Sequence, residues 1–260
     1  MSRLQARARD VVERAEGIIV LTGAGISAES GVPTFRGAAG LWRDFRPEEL
    51  ATPSAFARDP RLVWEWYDWR RRLVRDCRPN PAHLALAALA FAPRGRVRIV
   101  TQNVDGLHAV AAREVSATRS RPAVATDAAA PLELHGSLFR VRCTACGARR
   151  PHVEPIDATS RESLPHCDAC GALLRPDVVW FSEPLDDAVL GEAIECARTA
   201  DVCLVVGTSA VVQPAAGLAM VTKRAGGCVV EVNPEPTPLT PFADVSIRST
   251  AVESVPRIVG

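Results

Sequence analysis

The sequence predicts an α/β protein: a parallel sheet with helices on both faces, interrupted by two small inserted modules. Short apolar runs rich in Val and Ile alternate with helical patterns, which is typical of parallel strands connected by helices. Small polar residues follow these runs, and ligands of open α/β sheets bind outside the carboxyl ends of the strands. Two pairs of closely spaced cysteines indicate a separate metal-binding module.

The strands and helices are predicted from these runs in chain order. The predicted strands are residues 18–21, 96–100, 202–206 and 228–232, and the predicted helices between them are residues 82–91, 188–198 and 214–224. The main domain is then built from residues 1–36, 80–138 and 175–260. Residues 37–79 form a helical insertion, and residues 139–174 form the insertion that contains the paired cysteines.

Composition and charge exclude several classes of protein. The chain has 260 residues, 47% of them hydrophobic, which is enough for one large domain with a substantial core. The net charge of +1 gives no electrostatic basis for binding nucleic acid or an anionic membrane. Residues 1–16 lack an apolar run of signal-peptide length and predict an amphipathic helix. No apolar run is long enough to span a bilayer, so we expect a soluble, cytoplasmic protein. We also expect a monomer.

A glycine turn after the first predicted strand is the clearest functional signal. Gly23 and Gly25 directly follow an apolar run, and such glycines bring backbone N–H groups up to a pyrophosphate. The usual third glycine is missing, and polar residues and then Phe35 and Arg36 follow in place of a long apolar helix. The pattern predicts a Rossmann-like site for a dinucleotide that is used for something other than hydride transfer.

The paired cysteines have the spacing of a zinc ribbon. Cys143 and Cys146 form one Cys-x2-Cys pair, and Cys167 and Cys170 form the other after a spacer of 20 residues. Four thiolates leave no open coordination position, so the predicted Zn²⁺ is structural and not catalytic. Two disulfides would fit poorly with an intracellular chain.

Two further segments carry polar groups that are ambiguous when taken alone. Asn103 and Asp105 follow the second predicted strand, where an Asx-type turn that caps the next helix is the ordinary interpretation. His135 lies between a short apolar stretch and a glycine, and an isolated histidine in such a place is more often structural than catalytic.

The combination of motifs is more specific than any one of them. Six motifs occur in a fixed order: Gly-Ala-Gly-Ile-Ser with Pro-Thr-Phe-Arg, Thr-Gln-Asn-Val-Asp-Gly-Leu-His, Leu-His-Gly, the two Cys-x2-Cys pairs, Gly-Thr-Ser and Val-Asn-x-Glu. From about residue 11 to its end, the chain resembles the sirtuins, which are NAD-dependent protein-lysine deacylases. The resemblance implies that NAD is consumed as a co-substrate, and that the products are nicotinamide, free lysine and O-acyl-ADP-ribose.

The resemblance also implies roles for the residues at matching positions. His135 would be the general base, with Asn103 as a second catalytic residue. The implied NAD-binding residues are Gly23, Ala24, Gly25, Ser27, Phe35, Arg36, Trp42, Gln102, Asn103, Asp105, Gly207, Thr208, Ser209, Asn233 and Glu235. The implied partners are acyl-lysine proteins or peptides. Their backbone would pair with an edge strand over residues 178–181, through Val179, Trp180 and Phe181.

One helix of the first insertion bears on the choice of acyl group. Tyr67 and Arg70 are three residues apart, so they share a helix face and can grip a carboxylate. Taken alone, arginines on a helix are usually a solvated face, and Arg71, Arg72 and Arg75 fit that description. The stretch is similar to the Tyr-x-x-Arg signature of class III sirtuins, which remove succinyl, malonyl and glutaryl groups.

A small residue supports the same branch. Ala51 matches the residue that opens the acyl pocket in class III sirtuins. We therefore expect preference for succinyl and malonyl groups, with glutaryl as a further candidate and acetyl removed at a lower or unknown rate. The chain departs from the family at Ser182, where members usually carry glycine between Phe and Glu.

Other functions use the same residues. A plain deacetylase or a mono-ADP-ribosyltransferase would cleave NAD in the same way. A non-catalytic module that binds NAD or acyl-lysine would not need His135 and Asn103, so their presence argues against it. A dehydrogenase is disfavoured, because no acidic residue follows the glycine turn at the usual distance after a clear second strand.

Overall fold

The main sheet consists of six parallel strands. The computed structural model describes residues 1–33, 45–93, 96–118 and 130–260. Its strands are β1 (Gly17–Thr22), β2 (Arg96–Thr101), β3 (Leu132–Glu133), β4 (Gly136–Cys143), β5 (Arg149–Pro151), β6 (Leu174–Val178), β7 (Val202–Val206), β8 (Cys228–Val232) and β9 (Val245–Ile247). The main sheet has the order β3-β2-β1-β7-β8-β9, and all of its pairs are parallel. The predicted fold class is therefore confirmed.

The helices surround this sheet and build the first insertion. They are α1 (Arg3–Arg14), α2 (Pro47–Leu50), α3 (Pro53–Arg58), α4 (Pro60–Arg75), α5 (Pro81–Ala90), α6 (Leu107–Ala117), α7 (Asp187–Thr199), α8 (Leu218–Arg224) and α9 (Ala251–Val259). No helix in the described ranges is long and apolar enough to cross a membrane.

Strand β1 lies at the centre of the sheet, and both of its faces are buried. Ile18 and Val20 contribute to an apolar core that includes residues of α1, α5 and α9. Ile19 and Leu21 point to the opposite face and pack into a second core with residues of α7 and α8. Because successive side chains of a strand alternate between faces, one apolar run anchors helices on both sides of the sheet.

The two inserted segments share a third core. Trp64, Trp66 and Tyr67 of α4 pack with residues of a three-stranded antiparallel sheet of order β5-β4-β6. Arg71 is fully buried here and donates from Nη2 to the backbone oxygens of His152 (2.5 Å) and Glu154 (2.7 Å). The solvated-face interpretation is therefore wrong for Arg71, because its guanidinium joins α4 to the cysteine-bearing segment.

The sequence pattern found four strands of the main sheet but missed its two shortest strands and also β4, the eight-residue strand of the small sheet. All four predicted strands are present, whereas β3 and β9 have only two and three residues, too few for a periodic signal. The N-terminal helix is present as α1, with Ser2 and Gln5 forming a capping box. The boundaries of the main domain and the two insertions stay predictions.

Strain at Ser182 generates a first prediction. Ser182 has φ 73°, a left-handed conformation that costs a residue with a side chain about 1–2 kcal/mol. Glycine removes this cost, and its greater freedom in the unfolded chain offsets part of the gain. We expect Ser182→Gly to raise the free energy of unfolding by about 0.5–1 kcal/mol, measured by urea denaturation.

The matched control is Ser54→Gly, because Ser54 lies inside helix α3. Glycine lowers stability in a helix, so the two substitutions should shift the unfolding midpoint in opposite directions. A Ser182→Gly protein that is less stable than the original would contradict the strain argument.

Candidate active site at the carboxyl edge of the sheet

Two glycine-containing loops meet at the carboxyl ends of β1 and β7. The N–H of Gly25 donates to the carbonyl oxygen of Gly207 over 2.7 Å. A Cβ added to Gly25 would lie 2.7 Å from that same oxygen, and one added to Gly23 would lie 2.7 Å from the Cβ of Thr208. Both glycines are therefore required by close contact of the two loops, which leaves bare backbone at the edge of the sheet.

A hydrogen-bonded cluster follows the glycine turn. Ser27 Oγ donates to Asp105 Oδ2 over 2.8 Å, and Asn103 Nδ2 donates to Ser27 Oγ and to the Gly23 carbonyl, both over 3.1 Å. Asp105 Oδ1 accepts from the N–H of Leu107 at the start of α6. Burial raises the pKa of Asp105, while its hydrogen bonds to Leu107 and Ser27 act in the opposite direction. Asp105 thus caps a helix and holds the cluster together.

Two buried histidines, His83 and His108, lie next to this cluster, and the sequence analysis missed His83. His83 Nε2 lies 3.3 Å from Ser27 Oγ, and the His83 ring centroid lies 4.8 Å from that of His108. Burial lowers the pKa of His83 to about 4 and lowers that of His108 well below its ordinary value, so both rings are neutral. The available signal was the helix start at Asn80, which places His83 at the third helical position.

His135 has the geometry of a general base. It lies between β3 and β4, and its Nδ1 is 3.0 Å from the backbone oxygen of Gln102. Since a carbonyl oxygen only accepts, Nδ1 carries the hydrogen and Nε2 keeps its lone pair. Burial lowers the pKa of His135, and the bond to Gln102 partly counteracts this. The imidazole is therefore neutral and can accept a proton at neutral pH.

The ends of β2, β7 and β8 converge on Thr208. Gln102 Nε2 donates to Thr208 Oγ1 over 2.9 Å, and Asn233 Nδ2 donates to the Thr208 carbonyl over 2.7 Å. Ser209 follows in the same loop and is half-buried, and Glu235 donates its N–H to Asn233 Oδ1. The structure thus brings polar groups from distant segments to one edge of the sheet, as the sequence predicts.

Buried aromatic side chains of α4 contact Trp180, which lies just beyond the end of β6. Trp180 Nε1 donates to the hydroxyl oxygen of Tyr67 over 2.8 Å, and both side chains are buried. Burial raises the pKa of Tyr67 to about 12, so the phenol keeps its proton. The central guanidinium carbon of Arg70 lies 5.0 Å from the Trp66 ring and 6.0 Å from the Tyr67 ring. Ala51 is buried in the same apolar core.

The predicted substrate strand is shorter than expected. Strand β6 ends at Val178. The next three N–H groups are already used: Val179 donates to the His135 carbonyl, Trp180 to the Glu183 carboxylate and Phe181 to the Ala51 carbonyl. These three N–H groups thus have partners inside the chain, and the role of Val179, Trp180 and Phe181 in substrate binding stays a prediction.

The four cysteines form the predicted metal centre. The Sγ atoms of Cys143, Cys146, Cys167 and Cys170 all lie within 4.8 Å of one another. Cys143 and Cys170 are 3.4 Å apart at sulfur, and Cys146 and Cys167 are 3.7 Å apart. A disulfide would need about 2.05 Å, whereas thiolates at about 2.3 Å from a tetrahedral zinc have spacings of this size. The donor set fits a structural Zn²⁺.

Three predicted NAD-binding residues cannot be placed. Phe35, Arg36 and Trp42 lie within residues 34–44, outside the described residues. Their assigned role therefore stays a prediction.

Fold and site together define a dinucleotide-binding α/β protein with a structural metal module. The model of the Sir2 family matches residues 23–214. An NAD-dependent protein deacylase 2 from Pyrobaculum aerophilum is 51% identical over 96% of this chain and 92% of that protein. An NAD-dependent protein deacylase from Thermus thermophilus is 48% identical over 98% and 93%. The chain belongs to the Sir2 family.

Solved structures agree with this assignment. A Sir2 homologue in complex with NAD has a TM-score of 0.86 and 46% identity, and the match covers 98% of this chain and 92% of that one. A Sir2 complex with a p53 peptide and NAD has a TM-score of 0.79 and 30% identity, covering 96% and 94%. These matches place the chain among the NAD-dependent protein deacylases. NAD is the co-substrate of this family, and the four-cysteine cluster fits a structural Zn²⁺.

Loss of one thiolate tests the metal centre. We expect one zinc per chain in the purified protein and loss of that zinc in Cys167→Ser, because a hydroxyl is a poor zinc ligand. Cys167 is buried in the core shared with α4, so the melting temperature should fall as well. Metal analysis and thermal unfolding measure the two effects.

Cys196→Ser is the control, because Cys196 lies in α7 outside the cluster. It should keep its zinc. A full equivalent of zinc in Cys167→Ser would show that the four sulfurs do not form the site.

Proposed function

We propose that this Sir2-family enzyme is a protein-lysine deacylase that favours acyl groups ending in a carboxylate, with succinyl and malonyl first and glutaryl as a further candidate. The observation that carries the proposal is the proximity of Tyr67 and Arg70 on α4, which we propose line an acyl pocket. A carboxylate taken into such a pocket needs a charged or hydrogen-bonding partner, and this pair offers both.

The contacts of Tyr67 support this preference. Its oxygen accepts the indole hydrogen of Trp180, so its own hydrogen can be donated to an incoming carboxylate. Burial lowers the pKa of Arg70, while the nearby Tyr67 and Asp105 raise it. A guanidinium partly stripped of water gains more from an anion than a solvated one does. An acetyl group would bring no charge to Arg70.

His135 and the hydrogen-bonded cluster at Ser27 carry out the remaining steps of the proposed reaction. NAD, when bound, supplies the ADP-ribose acceptor and releases nicotinamide. His135 accepts a ribose hydroxyl proton at Nε2, because Nδ1 is committed to the Gln102 carbonyl. Asn103 and Asp105, fixed through Ser27, would orient the ribose and the carboxamide.

Substitution of Arg70 tests the acyl preference. We expect Arg70→Met to lower kcat/KM for a succinyl-lysine peptide by about 100-fold or more, because a buried carboxylate would lose its charged partner. The value for the matching acetyl peptide should change by less than about threefold. Nicotinamide release from paired peptides with NAD measures both.

Arg72→Met is the control on the same helix, since the Arg72 side chain is 61% exposed and pairs with Asp68. It should leave both activities unchanged. Equal loss of both activities in Arg70→Met would overturn the acidic preference.

The pH profile tests His135. A base acts in its neutral form, and burial lowers the pKa of His135 below its ordinary value of 6.5. We therefore expect kcat/KM to be flat near neutral pH and to fall only as pH drops below 6.5. His135→Tyr should lose deacylation at every pH, because tyrosine supplies no neutral base near pH 7. An acid limb centred above pH 6.5 would contradict the assignment.

A further inference from the structure

A second cavity lies outside the candidate active site, between the zinc module and helix α3. Its volume is about 580 Å³. Its apolar wall includes Pro53, Phe56, Ala57, Pro60 and Trp180, and its polar wall includes Arg142, Arg149, Arg161, Arg175 and Glu183. We call it the arginine pocket. The proposed reaction makes no use of it.

Four arginines and one carboxylate, that of Glu183, line this pocket. Arg142 and Arg175 share one carboxylate, that of Glu183, at 2.9 and 2.5 Å. Burial lowers the pKa of Arg142, and the neighbouring charge of Arg175 lowers it further. Arg161 is exposed, and within the described part of the chain it makes no ion pair within 4.0 Å. Arg142, Arg161 and Arg175 can therefore bind one more anionic group.

Two sources of negative charge lie next to the arginine pocket. Arg149 is already paired with Asp177 and Asp186, each at 3.3 Å, so it adds little attraction. A zinc ion on four thiolates would carry net negative charge near Cys143, at one end of the pocket. Arg142 and Arg161 are therefore the guanidiniums expected to contact the anion.

Trp180 lines the arginine pocket and also contacts Tyr67 of the proposed acyl site. Its indole N–H donates to Tyr67, while the guanidinium of Arg175 lies 3.3 Å from its ring centroid. Directly after Trp180, the chain turns through Phe181 and Ser182, which are exposed, and returns at Glu183. Because Trp180 contacts Tyr67 and also lines the arginine pocket, a peptide whose acyl-lysine reaches Tyr67 would place its flanking residues near that pocket.

We propose that the arginine pocket binds an acidic side chain of the substrate protein, a Glu or Asp that flanks the acylated lysine. The inference rests on the proposed peptide deacylation and is independent of which acyl group is preferred. The apolar wall suits the methylene groups of such a side chain, and the guanidiniums suit its carboxylate. The arginine pocket would thereby make the enzyme selective for the residues next to the acylated lysine, which the acyl pocket does not contact.

A peptide series tests this. Acetyl-lysine peptides, and separately succinyl-lysine peptides, carry a single Glu or Gln at each of the three positions on either side of the lysine. At one or more positions, Glu should lower KM about three- to fivefold relative to Gln, which is the range of a partly exposed ion pair. Initial rates of nicotinamide release give KM and kcat.

Variants assign the effect to the pocket. Arg161→Gln and Arg142→Gln should each reduce the Glu-to-Gln difference and leave kcat for the Gln peptides unchanged. Arg150→Gln, an exposed arginine of β5 outside the pocket, should keep it. Zinc content checks that each variant is folded.

Each outcome decides the inference. Equal KM for Glu and Gln peptides at every position, or a preference that persists in both pocket variants, would overturn it. A flank-independent inhibition by free glutarate that Arg161→Gln abolishes would assign the pocket to small carboxylates and also overturn it. Failure of the acyl preference can be distinguished from failure of this inference, because the Glu and Gln peptides are always compared with the same acyl group.

Discussion

The candidate site depends on one close contact, between the loop after β1 and the loop after β7. The two loops touch through backbone atoms at Gly25 and Gly207, and no side chain fits between them. This contact sets where Ser27 lies, and Ser27 in turn holds Asn103 and Asp105. The glycine turn therefore acts first as a packing element, and the polar cluster is arranged around it.

Much of this arrangement was predictable, for physical reasons that can be named. Strands β1, β2, β7 and β8 are short apolar runs with polar ends, and parallel strands bring such ends to one edge. The cysteine pairs are local in sequence, so their spacing alone predicts a ribbon. The short strands β3 and β9 carry no such pattern, and they form because neighbouring strands offer free backbone groups.

The contacts that the sequence analysis missed all join residues that are far apart along the chain. His83 contacts Ser27 across 56 residues of chain, and Trp180 reaches Tyr67 across 113. Arg71 was assigned to solvent because a helix pattern does not show which second segment covers it. In the structure, that segment is the zinc module, so the pocket around Tyr67 and the cysteine cluster share one apolar core. Loss of the metal would therefore reach the acyl pocket through packing.

The sheet topology has a consequence for how the cofactor and the fold depend on each other. The polar residues at the edge come from segments as far apart as Gly23 and Asn233, so no partial fold contains the whole dinucleotide site. A ligand that binds only the complete sheet stabilises it in proportion to the logarithm of its concentration. A rise in dinucleotide concentration would then stabilise the folded protein, in addition to speeding its reaction.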